Sequence, residues 1–186
     1  MSWNPFRAPS RSGGEWFPAG LASDFPDVGD QQDDAQDGAV VHPRPCGDKQ
    51  TKPGCKVFHV PKEDSSKRTE VAVPAEDDAE AERDMTDQVM VFQYRGKFHA
   101  VDHQCPHSSY PLSKGVPFDI EDFGIVLSAG ITCPKHSWSF DLFSGRSDRG
   151  SYRLKVWEAE VRDVKGGEGG ASQEKEVWVR RKPRMG

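Results

Sequence analysis

The chain has 186 residues, of which 34% are hydrophobic, with 18 Gly, 14 Pro and a formal charge of -5. That length leaves room for one ordinary domain with loose ends and none for a second catalytic domain. The acidic balance, without a basic stripe, argues against nucleic acid as a partner, and the longest apolar runs, at 89–92 and 124–131, are far too short to cross a bilayer.

In chain order, residues 1–50 are rich in Pro, Gly and Asp, and 24–37 hold six acids with little to anchor them. Such a composition cannot bury enough surface to offset the entropy of ordering, so a disordered tail is expected there. Its aromatics Trp3, Phe6, Trp16 and Phe17 are the parts able to pack on the domain or a partner. Arg7, Arg11 and several Ser resemble a mitochondrial presequence. Glu15 and four prolines by position 26 oppose the amphipathic helix this needs, and no hydrophobic signal core precedes them. A soluble protein of the cytoplasm is the expectation, with mitochondria second.

From residue 54 the pattern turns to short β-rich runs. Residues 55–60 and 69–73 read as strands joined by a polar hairpin loop, and 76–87, with seven acids against one base, read as a solvated loop or short surface helix. The clearest hairpin is 89–94 with 98–101, joined by a turn at Arg95-Gly96-Lys97, and it delivers the chain to Cys105. Strands are expected again at 137–143, 152–161 and 175–181, with a Gly-rich stretch at 165–172. No long segment shows a 3.6-residue apolar period, so the fold class is all-β, an antiparallel β-sandwich occupying 54–184.

The four cysteines, at 46, 55, 105 and 133, lack the spacing of a disulfide scaffold and point to a reducing compartment. Two of them begin informative motifs. Cys105-Pro-His107 is followed, after twenty-five residues, by Cys133-Pro-Lys-His136 and the run Ser137-Trp-Ser-Phe-Asp-Leu-Phe-Ser-Gly145. Each loop can offer one soft thiolate and one imidazole, and two facing loops give four ligands of type S2N2. Residue chemistry leaves two candidates: a tetrahedral Cys2His2 zinc ion, or a [2Fe-2S] cluster with two cysteines on one iron and two histidines on the other. Cys46 and Cys55 are expected to be free thiols, and His99 and His103 receive no role.

The paired motifs resemble the two cluster-binding loops of Rieske [2Fe-2S] proteins, over roughly residues 55–182, with the loops inside about 102–147 as a small cluster-binding subdomain. The long inter-motif span containing residues 115–124 is similar to that of soluble eukaryotic Rieske-domain proteins. The resemblance implies that Cys105 and Cys133 hold a buried iron, while His107 and His136 hold an outer one with their free ring edges at the surface. Two neutral imidazoles in place of two thiolates make the oxidised centre easier to reduce, in a range of roughly -150 to +300 mV against about -400 mV for all-cysteine centres. High-potential respiratory members carry a disulfide between the loops, and a Ser and a Tyr two and four residues past the second histidine; here those positions are Trp138 and Phe140, and neither loop has a second cysteine. With fewer donors near the cluster, the low half of the range is expected, although Lys135 acts the other way.

A monomeric ferredoxin-like electron carrier between a reductase and an acceptor is therefore the expected function, with His107, His136, Tyr110, Pro111 and Trp138 as the docking rim. A redox-sensing or structural module, including a zinc-bound one without electron delivery, is the alternative. A Rieske oxygenase component is not the expectation, because it would also need a mononuclear iron on another domain, and His42, His59, His99 and His103 show no facial arrangement of two histidines and a carboxylate.

Overall fold

The computed structural model describes residues 14–29, 54–73, 84–164 and 174–183. These form ten strands: β1 (Phe17–Leu21), β2 (Cys55–His59), β3 (Thr69–Val71), β4 (Gln88–Tyr94), β5 (Lys97–Asp102), β6 (Val116–Asp122), β7 (Ile125–Cys133), β8 (Trp138–Asp141), β9 (Glu158–Asp163) and β10 (Lys175–Arg180). They make three sheets, in the orders β1-β10-β9, β3-β2-β4-β5 and β6-β7-β8, and every ladder between them is antiparallel. Among the described residues there is no α-helix, and none long and apolar enough to cross a membrane.

The layering follows from β4. Successive side chains of a strand point to opposite faces, yet Val89 through Phe92 are all buried. Val89 and Val91 enter a core with Phe58, Ala100 and Trp157, to which β1 and β10 add Phe17, Ala19, Val177 and Val179. Met90, Phe92 and Tyr94 enter a second core with Leu112, Ile131, Phe140, Leu142, Leu154 and the two motif cysteines, Cys105 and Cys133. The four-stranded sheet is thus the shared middle layer. One face completes a sandwich with β1-β10-β9, and the other is the floor under the motif loops.

The tail expected at 1–50 is interrupted by a strand. Phe17–Leu21 pairs with β10; Phe17 packs edge-on against Phe58 at 5.9 Å, and Asp27 Oδ1 accepts from the Arg95 backbone N–H, tying this arm to the β4–β5 turn. Two buried aromatics, Phe17 and Phe25, anchor a segment whose average composition is too polar to show it. Trp16 is held by Arg162 and Arg180, both within 5 Å of its ring. Trp3, Phe6, Cys46 and most of the acidic run at 76–87 lie outside the described residues.

The strand expected at 152–161 begins only at Glu158, because the preceding residues pass between layers. Leu154 is buried in the motif-side core, Val156 bridges to Val101, and Trp157 is in the sandwich core, its indole donating to Asp102 at 2.7 Å. The inter-motif span is a long hairpin, β6–β7, turned at Phe123-Gly124 with both φ positive, 48° and 76°, as a two-residue hairpin turn requires. Phe123, Ile125, Val126 and Leu127 are exposed at its tip, so the alternation that marks a half-buried strand is absent there.

Candidate metal centre

Two loops rise from the floor of the motif-side core. The first leaves β5 and is pinned by Leu112 N–H to His103 C=O at 2.8 Å and Cys105 N–H to Tyr110 C=O at 2.9 Å. The second is the turn between β7 and β8, closed by the Cys133–Trp138 pair of that ladder. The two share one device: the N–H of Ser109 donates to Cys105 C=O and that of Ser137 to Cys133 C=O, both at 2.9 Å. In each case the serine four residues after the cysteine has positive φ, 54° and 57°. Each Cys-Pro start is thereby curled into a single tight turn that brings its histidine back over its cysteine's side of the loop.

All four motif side chains come together, in a pairing different from their order in the chain. The thiols of Cys105 and Cys133, both 1% exposed, hydrogen-bond each other across the two loops. The rings of His107 and His136 meet above them with centroids 5.2 Å apart. The sulfurs lie in the core, and the imidazoles lie toward solvent, His136 exposed and His107 half-buried. The hydrogen bond from Cys133 pulls the Cys105 thiol well below the ordinary thiol range, with help from Ser108; the same bond and burial push the Cys133 thiol up. The pair releases its first proton readily and holds the second.

The group these donors suit is decided by their chemistry. His107 Nδ1 is buried with no hydrogen-bond partner, a costly arrangement for an imidazole nitrogen unless an electrophile takes its lone pair. The donors fall into a sulfur pair and a nitrogen pair. Two unlike pairs suit two metal positions of different softness.

Sequence reasoning missed three contributors. Ser108 Oγ lies 3.6 Å from Cys133 Sγ, a weak contact to a core sulfur. Tyr152 meets His107 edge-on at 5.2 Å and Trp138 at 5.1 Å. Arg149 sits 5.8 Å from the centre of Trp138 and donates to Ser137 C=O at 3.1 Å. Only the proximity of Ser108 to His107 in the chain was available as a signal; the other two arrive through the β8–β9 connection. Trp138, placed on a docking rim by its position, stacks on His107 at 4.1 Å and 14°. His103 is buried under the first loop, bonded to Gln88 Oε1 and Ser113 Oγ at 2.9 Å each. His99 is wedged between Phe92 and Phe143. Cys55 is a free thiol in the core floor.

A model of the Rieske [2Fe-2S] domain matches residues 60–158, more than half of the chain. The chain belongs to the Rieske [2Fe-2S] domain family. Its cofactor is accordingly a [2Fe-2S] cluster. Among Rieske relatives, a human "Rieske domain-containing protein" is 37% identical over 90 residues, covering 45% of this chain and 54% of that protein. The 3-phenylpropionate/cinnamic acid dioxygenase ferredoxin subunit of Photorhabdus laumondii is 36% identical over 62 residues, covering 33% of this chain and 51% of the subunit. The ferredoxin component of the alkene monooxygenase system of Xanthobacter autotrophicus is 30% identical over 94 residues, covering 48% and 70%. The match spans about half the length of the first two. Among solved structures, a chain of the complex of reduced oxygenase and oxidized ferredoxin in carbazole 1,9a-dioxygenase aligns over 92% of this chain and 97% of its own, at 18% identity and a TM-score of 0.43.

Proposed function

We propose that the protein carries single electrons as a ferredoxin-like component between a reductase and an acceptor, with Cys105 and Cys133 on one iron of the cluster and His107 and His136 on the other. The observation that carries this reading is the pairing of sulfur with sulfur in the core and ring with ring toward solvent. A bound [2Fe-2S] cluster supplies reversible one-electron chemistry at this place. The protein's own part is to keep it dry and asymmetric: β4, Leu112, Ile131 and Phe140 exclude water below the thiols, and the hydrogen bond from Cys133 favours the thiolate form of Cys105. Above, His136 is exposed to solvent, where an outside redox group could reach it.

A position in the low half of the Rieske range is part of the proposal. The positions two and four past His136 hold an indole engaged in stacking and a buried phenyl ring, which cannot donate, and the Ser108 contact at 3.6 Å is a long one. The relatives named as ferredoxin components of oxygenases support the assignment of a carrier. We propose the cytoplasm as its compartment, since Cys55 is a free thiol.

The test is low-temperature EPR of anaerobically purified, dithionite-reduced protein, with iron and zinc quantified on the same sample. A rhombic signal of low average g with about two irons per chain is expected. About one zinc per chain and no signal after iron–sulfide reconstitution would replace the carrier with a structural zinc module.

A further inference from the structure

The two donor loops are closed in different ways. The second joins paired strands, β7 and β8, whose ladder runs up to Cys133 and Trp138 on either side of it. The first has a strand, β5, on its entry side and leaves through a short 3-10 turn, Leu112–Lys114, whose N-cap Pro111 makes no side-chain bond. Its two limbs meet in the isolated Gln104–Pro111 bridge, where the second loop has a ladder. What joins its entry to its exit therefore decides how sharply Cys105 and His107 are placed.

His103 joins them. It is 1% exposed, and all four of its hydrogen-bonding groups are engaged. Its N–H donates to Gln88 C=O at 3.0 Å and its C=O accepts from the Leu112 N–H at 2.8 Å. With the proton on Nδ1, the ring donates to Gln88 Oε1 and Nε2 accepts from the Ser113 hydroxyl, each at 2.9 Å. Gln88 opens β4 in the floor, and Ser113, fully buried, stands in the exit turn. One ring thus spans the floor, the entry and the exit of the loop.

We infer that His103 is a positioning residue for electron transfer: through Gln88 and Ser113 it ties the exit of the first donor loop to its entry, and so sets where Cys105 and His107 meet the second loop. The inference rests on the electron-transfer reading above for what the loop holds. A tie of directed hydrogen bonds does more than fill space, because each bond has a narrow geometry, whereas apolar packing tolerates small shifts of the backbone. Buried partners that lose the tie are also left unpaired, with no water to replace it.

Ser113→Ala and Gln88→Met each remove one partner of the ring with little change of volume. Peptide-level amide exchange of the full-length protein should show residues 104–112 exchanging about fivefold or more faster in each variant, the scale set by an unpaired buried polar group, with residues 133–138 unchanged. Loss of iron to a chelator should quicken by a similar factor, and the EPR lines of the reduced cluster should broaden as His107 takes a spread of orientations. Val177→Ala, in the sandwich core, lowers stability away from the loops and should leave the EPR lines and the contrast between the loops as they are. The triple variant Gln88→Leu/His103→Leu/Ser113→Ala leaves no polar side chain of this group unpaired. It should regain much of the parent's urea midpoint and keep the broadened lines and the fast exchange at 104–112. Equal acceleration in both loops, or fast exchange at 104–112 with unbroadened lines, overturns the inference and makes His103 a core histidine that stabilises the fold alone. A parent sample with no reducible cluster overturns the electron-transfer reading, and the exchange contrast between the loops, read on the same sample, still decides the tie.

Discussion

The imidazole of His107 lies flat on the indole of Trp138, 4.1 Å between centroids and 14° from parallel, while Tyr152 closes its edge. One proposed ligand is therefore clamped between aromatic rings, and its counterpart His136 stands in solvent. The clamp fixes the orientation of the His107 ring, which a half-buried side chain on a loop would otherwise have to find on binding.

Trp138→Ala should bind the cluster yet lose it faster. An aromatic stack is worth about 0.5–1.5 kcal/mol, which corresponds to a release rate raised by roughly twofold to tenfold. Decay of the visible absorbance under an iron chelator reads this directly. Unchanged decay in Trp138→Ala, with the Tyr152→Ala control also unchanged, would dismiss the clamp.

Gly145 turns the chain after β8 at φ 71°, and a Cβ there would lie 2.0 Å from the Leu154 carbonyl oxygen. The glycine's own carbonyl accepts from the Leu154 N–H at 2.8 Å, so the two segments cannot separate without breaking that bond. Gly145→Ala should cost at least about 2 kcal/mol of stability. Urea unfolding at neutral pH measures it; a midpoint equal to that of the parent chain would show that the turn relaxes freely.

Phe17, 2% exposed in the sandwich core, stands outside the segment that composition marks as a domain. Phe17→Ala should destabilise the protein by about 3–5 kcal/mol, as for other buried aromatic truncations. Loss of less than about 1 kcal/mol in the same urea experiment would return residues 14–29 to the status of a dispensable arm.

His99 is buried between Phe92 and Phe143, and burial pushes its pKa down to about 4, with Lys97 adding to the shift. The folded state therefore holds it neutral, while the unfolded chain takes up a proton near pH 6.5. Stability is full above that pH and declines as pH falls from about 6.5 to 4, by a total of about 3 kcal/mol for this group. The His99→Phe variant should show a shallower decline of the urea midpoint over that window. Parallel curves for the two proteins would place the acid sensitivity elsewhere.

The hairpin β4–β5 was legible because its residues carry the pattern themselves: β-rich runs on either side of a turn at Arg95 and Gly96, both at positive φ. Strands β6 and β7 were not, since Ile125–Leu127 are apolar and exposed, and a pattern rule reads exposure only through alternation. The strand β1 was hidden for the opposite reason. Its one aromatic, Phe17, stands in a segment diluted by prolines and acids, and its burial depends on partners in β2 and β10 more than thirty residues away.

The amino-acid sequence alone determined the donor types, their division between two loops and the all-β class, because each of these is written in neighbouring residues. Local spacing alone left open which donor stands beside which, since every loop offers one cysteine and one histidine; the pairing of cysteine with cysteine and histidine with histidine was implied only by the family resemblance of the motifs. The tertiary structure shows how the chain brings those pairs together: two loops with the same serine-closed turn face each other, so sulfur meets sulfur over the apolar floor and ring meets ring at the surface. The same long-range folding brought Tyr152 and Arg149 to the site, because those contacts join residues whose approach is set by the packing of sheets and by no pattern along the chain.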